Sequence, residues 1–134
     1  MKNQGMYLRH PKIRGAWTEM CFTTRATELG FLVTKPCRDA PYDVATDHRG
    51  RFRRVQVKST ICKRDNSYIC STCSNHIPYR PSQLDFIAAY VIPTNTWYII
   101  PLRATHSQPQ ISLAPHRKNA KYAKYKEAWH LLKR

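Results

Sequence analysis

Apolar positions in this chain change period several times, and each change marks an element. From Ile13 to Leu29 they recur near 3.6 residues, through Ile13, Ala16 or Trp17, Met20, Ala26 or Thr27, and Leu29. That predicts an amphipathic helix, with Gly30 as its C′ residue. Phe31 to Thr34 reads as a short strand that Lys35-Pro36 stops, and Cys37 to Pro41 as a loop. Pro41 to Thr60 alternates apolar and polar residues on both sides of Asp47-His48-Arg49-Gly50. This predicts a β-hairpin, with Gly50 supplying the positive φ of a short turn. Thr60 to Asn66 reads as a basic turn, Tyr68 to Ser74 as a strand, and Asn75 to Pro81 as a Pro-punctuated loop. Ser82 to Asp85 can start a helical turn. Phe86 to Ile92 is almost wholly apolar, which predicts a strand covered on both faces. After a turn at Pro93–Thr96, Trp97 to Ile100 returns as the next strand, and Arg103 to His116 reads as a loop. From Lys118 to Lys133, Tyr122, Tyr125, Trp129 and Leu132 fall at helical spacing, predicting a closing helix with Lys121, Lys124 and Lys126 outside.

These elements predict an α/β (α+β) fold: a mixed sheet built on the hairpin and flanked by an N-terminal and a C-terminal helix. The length, 134 residues, suits one domain over 1–134. Met1 to Lys12 carries Lys2, Arg9 and Lys12 with little periodicity, so residues 1–12 read as a loose basic arm. Charge sharpens the picture. Twenty-three Lys and Arg against eight acids leave a formal +15, which favours nucleic acid or another anionic surface. No run reaches the roughly 18 apolar residues of a membrane span. Met1 to Arg14 has no apolar h-region, so the expectation is a cytoplasmic protein without a membrane partner.

Five cysteines are an odd number in a chain of this length, and reduced thiols are expected, with Cys21 and Cys37 as small buried hydrophobes. Cys70-x-x-Cys73-x-x-His76, with Cys62 upstream, invites a structural zinc. Strand alternation would point Cys70 and Cys73 to opposite faces, and no second ligand pair closes the site, so zinc is disfavoured.

The hairpin carries the chemistry. Alternation puts Val55 and Val57 on one face and Arg54, Gln56 and Lys58 on the other. Asp43 falls across from Val55 or Gln56, depending on a one-residue difference in the turn. Asp43 and Gln56 offer hard oxygens to a divalent cation, the backbone carbonyl of Val57 a third ligand, and Lys58 a charge stabiliser beside them. A neutral amide attracts a cation less than a carboxylate does, so a further acid is expected, Glu19 first and Asp47 second. Around this site Arg49 and Arg51 at the tip, Arg53 and Arg54 below, and Lys63 and Arg64 beyond would clamp DNA through phosphates, some reaching base edges. Gly15, in the first turn of the helix and one turn before Glu19, marks a close backbone approach, to a strand or to a phosphate. The aromatic stripe at the C-terminus reads as core rather than a base-stacking platform.

Pro41-Tyr42-Asp43 followed by Gln56-Val57-Lys58 resembles the PD-(D/E)xK nuclease superfamily, with Gln where an acid is usual. The likeness is nearest to the branch of endonucleases carried by bacterial group I introns, itself similar to archaeal Holliday-junction resolvases. Glu19 on a helix ending at Gly30, the strands Asp85–Tyr90 and Trp97–Pro101, and the element Tyr122–Leu132 extend the resemblance along most of the chain. It implies a restriction-endonuclease-like core and Mg²⁺- (or Mn²⁺-) dependent hydrolysis of double-stranded DNA by a homing enzyme. Glu19, Asp43, Gln56 and Lys58 would be the catalytic residues. Cutting two strands implies a homodimer or homotetramer. The rivals are a structure-specific resolvase, a catalytically silent DNA-binding module of the same fold, and a zinc protein built on Cys62, Cys70, Cys73 and His76.

Overall fold

The computed structural model describes residues 8–134. The first seven residues of the expected basic arm lie outside the described part. At its described end Leu8 is buried, Arg14 Nη1 donates to the Leu8 carbonyl at 3.2 Å, and Pro11 already opens a helix. The arm therefore does not extend to residue 12.

That helix, α1 (Pro11–Glu28), starts with proline at the position where a missing N–H costs nothing. It ends in a Schellman motif: Gly30 at φ +94° donates to Thr27 O at 3.0 Å, and Phe31 donates to Ala26 O at 3.0 Å. Phe31 and Ala26 are both buried in the core this turn closes. The buried stripe is Thr18, Phe22 and Ala26, with Trp17, Cys21 and Leu29 half-buried beside it. Ile13 and Met20, expected in the stripe, are 43% and 60% exposed.

The helix covers a five-stranded mixed sheet of β1 (Leu32–Thr34), β2 (Val44–His48), β3 (Arg51–Thr60), β8 (Phe86–Val91) and β9 (Thr96–Pro101), in that spatial order. All neighbours are antiparallel except β3 and β8, which run parallel with Val55 opposite Phe86 and Lys58 opposite Ala89. The β2–β3 turn is the predicted one. Arg49 (φ +54°) and Gly50 (φ +86°) take left-handed conformations, and Asp47 Oδ1 accepts from the Gly50 N–H at 2.8 Å. On the helix side Val55, Val57, Ala88, Tyr90, Trp97 and Ile99 meet Phe22, Ala26, Trp129 and Leu132. The opposite side of β8 and β9 presents Ala89, Val91, Tyr98 and Ile100 to Tyr68, Cys70, Ile111, Leu113 and Tyr122. Every residue of β8 is buried, as its almost wholly apolar run predicts, and every residue of β9 is buried as well.

The connection from β3 to β8 builds a second layer that the sequence reading largely missed. β4 (Lys63–Arg64), inside the predicted basic turn, pairs with β5 (Ser67–Ser71). β6 (Cys73–Ser74), the end of the predicted strand Tyr68–Ser74, and β7 (Ile77–Pro78), inside the predicted loop, form a small hairpin with Asn75 and His76 both at positive φ. β10 (Gln110–Leu113), inside the predicted loop Arg103–His116, pairs antiparallel with β5. Its alternation is only four residues long and its neighbours are Ser, Gln and Pro, so the pattern was too short to stand out.

The predicted C-terminal helix is not there. Residues 118–133 hold two 3-10 turns, Ala123–Tyr125 and Trp129–Lys133, separated by Glu127 at φ +50°. Glu127 N–H donates to Trp97 O at 2.7 Å, its Oε2 accepts from Trp97 N–H at 2.8 Å, and its Oε1 accepts from Trp129 Nε1 at 2.9 Å. These bonds satisfy the free edge of β9, an obligation that outweighs one local helical turn. Tyr122, Trp129 and Leu132 are buried as expected, but from a non-helical segment.

Candidate active site

β2 begins one residue after Asp43, whereas β3 runs on past Val55. The ladder is finished by Asp43 itself. Its N–H donates to Val55 O at 3.0 Å, and its Oδ2 accepts from the Val57 N–H at 2.9 Å. This fixes the carboxylate against β3 beside Gln56. Asp43 and Gln56 line one cavity of about 360 Å³, with Pro41, Ser74, Ile77 and Tyr79 around it. Asp43 Oδ1 and the Gln56 amide make no hydrogen bond with any described residue, so both are available to a ligand.

Burial pushes the Asp43 carboxyl up. The Val57 hydrogen bond opposes this, the charge of Glu19 adds to it, and Lys58 and Lys35 pull it back. The net direction is upward, as for a carboxylate short of positive charge. Glu19 thus acts on Asp43 electrostatically. It does not line the cavity, and its Oε1 pairs with Lys35 Nζ at 3.2 Å. Lys58 also stands outside the lining. Its Nζ donates to the Cys73 carbonyl at 3.0 Å and lies 5.4 Å from the centre of the Tyr79 ring, which is part of the cavity wall. Asp47, the distant alternative acid, is spent on the hairpin turn.

The cations divide into two sets. Arg49 and Arg51 are exposed at the hairpin tip, Arg53 is half-buried beneath, and Lys63 and Arg64 are exposed on β4 at the other end of β3. Gly15 is exposed on α1, with no atom within 4 Å of where a Cβ would sit, so no strand among the described residues approaches it closely. Arg54, expected among the DNA contacts, is committed internally. Its Nε and backbone N–H reach Asp85 Oδ2 at 3.2 and 2.8 Å, its Nη2 reaches Oδ1 at 3.0 Å, and its Nη1 reaches Ser82 O at 2.6 Å. Burial raises the Asp85 carboxyl, but the Arg54 bonds outweigh it and hold that carboxyl below its ordinary range. Arg103 and Arg134, which the sequence left unassigned, join Arg53 around a second concavity of about 560 Å³. Only the tertiary fold brings these three together, so no local signal could have found them.

The zinc motif does not assemble. Cys70 and Cys73 are buried, while Cys62 and His76 are exposed. No group of three or more His, Cys, Asp or Glu among the described residues is placed to hold a metal ion. Cys37, expected buried, is exposed, and Cys21 is half-buried. No helix among the described residues is long and apolar enough to cross a membrane.

Residues 9–132 match the sequence model of the family described as PD-(D/E)XK endonuclease. Comparison with curated proteins returned no significant match. Among solved structures the fold is similar to that of I-Ssp6803I, a bacterial homing endonuclease, with a TM-score of 0.76 and 28% identity, over 91% of this chain and 90% of that one. The match extends from α1 through the closing C-terminal segment and includes Asp43 and the strand that carries Gln56 and Lys58, and with it the chain is a nuclease: it belongs to the PD-(D/E)XK endonuclease family.

Proposed function

We propose that the chain, acting as one nuclease domain, is a metal-dependent endonuclease of double-stranded DNA, of the homing type that its structural neighbour represents. The observation that carries this is Asp43 and Gln56, side by side on one cavity with Asp43 Oδ1 and the Gln56 amide oxygen uncommitted, and Lys58 on the same face of β3 as Gln56.

Nucleases of this family generally use divalent metal ions, and the donor set fits one. Asp43 is a carboxyl that burial makes reluctant to ionise alone, next to a second carboxylate and an open amide. A dication relieves that penalty. Asp43, the Gln56 side-chain oxygen, the Val57 backbone carbonyl and Glu19 would hold it, with Mg²⁺ or Mn²⁺ suited to such oxygens. When bound, the ion would offset phosphate charge and acidify a water. The protein's own residues do the rest. Asp43, pinned by the Val57 N–H, keeps the site from shifting along β3. Lys58 orients the attacking water and balances the charge that builds on the phosphate oxygens. Glu19 leaves Lys35 or shares it, supplying the charge that the neutral Gln56 does not.

The ten residues of β3 span about 30 Å, close to one turn of duplex DNA. Arg49, Arg51 and Arg53 at one end and Lys63 and Arg64 at the other would bracket the site on the phosphate backbone, with Gly15 admitting the strand near α1. Hydrolysis of both strands calls for two sites, hence a homodimer or homotetramer. Five unpaired thiols suit the reducing cytoplasm. The test is supercoiled plasmid with Mg²⁺, with and without EDTA, against Asp43→Ala and Lys58→Ala. Conversion to nicked and linear forms by the wild type alone is expected, and full activity of either variant removes the site. Gln56→Glu should shift metal preference, and identical Mg²⁺ and Mn²⁺ titrations would strike Gln56 from the ligands.

A further inference from the structure

The Cys70–His76 stretch belongs to no cluster of three or more His, Cys, Asp or Glu among the described residues, and the proposed reaction leaves it unused. Its placement gives it another task. The chain leaves β5, crosses buried Thr72, and turns back through the β6–β7 hairpin directly over the Lys58 side chain. Lys58 Nζ donates to the Cys73 carbonyl at 3.0 Å, and the Tyr79 ring lies under the same ammonium at 5.4 Å. Tyr79 is itself held by packing on the buried cluster Leu84, Ile87 and Leu102. The nearby Cys70 thiol is fully buried and stays neutral, pushed up to about 12 by burial. An unconstrained lysine has four rotatable bonds and carries its charge as a hydrated point. Here a carbonyl takes one of its three N–H groups, and the face of Tyr79, a ring in the wall of the cavity that Asp43 and Gln56 share, supports it from the side.

We propose that the Cys73 carbonyl and the Tyr79 ring form a clamp that presets the Lys58 ammonium beside the scissile phosphate, so that Tyr79 is a positioning residue acting through Lys58. The inference rests on the reading that Lys58 serves phosphodiester hydrolysis. The ring face, rather than the hydroxyl, does the work, which separates this role from direct contact with DNA. Side chains held by their surroundings act in the transition state without first being ordered. Loss of the ring should therefore lower kcat and leave substrate binding alone.

The test uses full-length Tyr79→Phe, Tyr79→Leu and Lys58→Ala. In steady-state cleavage Tyr79→Phe should match the wild type, while Tyr79→Leu should lose roughly five- to thirty-fold in kcat with KM unchanged. In DNA-free protein the Lys58 Cε–Hε NMR signals, assigned by their absence from Lys58→Ala, should be ring-current shifted in the wild type and Tyr79→Phe. They should move to ordinary lysine positions in Tyr79→Leu. The clamp is overturned if Tyr79→Leu keeps the wild-type Lys58 signals. It is overturned equally if the loss appears in KM alone, or if Tyr79→Phe falls as far as Tyr79→Leu. Full activity of Lys58→Ala would instead remove the function assigned to the lysine, an outcome that the DNA-free spectra keep separate from the clamp itself.

Discussion

Asp43 does two things with one carboxylate: Oδ2 completes the β3 ladder through the Val57 N–H, and Oδ1 is left to the cavity. Because burial raises its folded-state pKa, the folded form keeps its proton longer than the unfolded chain. Wild-type stability therefore falls as pH rises from the ordinary value of 3.8 through the folded pKa. Asp43→Asn keeps the Val57 contact and has no ionisation to resist. In EDTA at pH 7 it should melt above the wild type, with the difference vanishing in acid. Mg²⁺ should raise the Tm of the wild type and leave Asp43→Asn unmoved; equal Mg²⁺ shifts in both would dissociate Asp43 from the ion. Asp85 behaves in the opposite sense. Its lowered pKa contributes stability above 3.8 that is lost as pH falls through the folded value. Asp85→Asn should cost about 1–3 kcal/mol at neutral pH, by weakening bonds to a charged partner. That deficit should shrink in urea melts below pH 3.8.

At the scale of elements, α1 carries a glycine in an exposed turn where a methyl group would meet nothing. Gly15→Ala should stabilise the protein by about 0.5–1 kcal/mol through helix propensity and the unfolded-state entropy it removes. If Gly15 admits a phosphate, the same change weakens DNA binding. A variant that melts higher and binds as well as the wild type takes Gly15 off the DNA surface. The hairpins follow the same local logic. β2–β3 was predictable because Asp47, Arg49 and Gly50 satisfy the turn between two long alternating runs. β6–β7 turns on Asn75 and His76 between two-residue strands, too short to show a period, yet it sits over Lys58. The C-terminal segment kept its helical spacing of aromatics without the helix. Glu127 was better placed bonding to Trp97 and Trp129 than continuing a turn.

For the whole molecule, a formal +15 predicts a DNA affinity that falls steeply with salt, and exposure separates cations free to reach phosphates from those bound internally. Arg49→Ala and Lys63→Ala, exposed and free to reach phosphates, should each reduce the slope of log affinity against log salt by about 1. Arg54→Ala should lower the Tm and leave that slope alone, because its guanidinium serves Asp85, Ser82 and Pro81. A slope that changes with Arg54 and not with Arg49 would reverse the assignment.

Residue order alone determined the elements with long periods: α1 and its Gly30 stop, the hairpin with its turn, and the two buried strands β8 and β9. It also placed Gln56 and Lys58 on one face of β3 by strand alternation, whereas the register that sets Asp43 opposite Gln56, with Val44 opposite Val55, came from the structure. Only the tertiary structure decided that Arg54 is a brace, that Tyr79 lies under Lys58, and that Arg53 is joined by Arg103 and Arg134. It also replaced the closing helix by a strap along β9. These depend on residues from 21 to 81 positions apart, Tyr79 and Lys58 at one extreme and Arg53 and Arg134 at the other. Local propensity has no term for a partner that distance brings near, and an unpaired strand edge or a buried charge recruits whichever group the fold delivers.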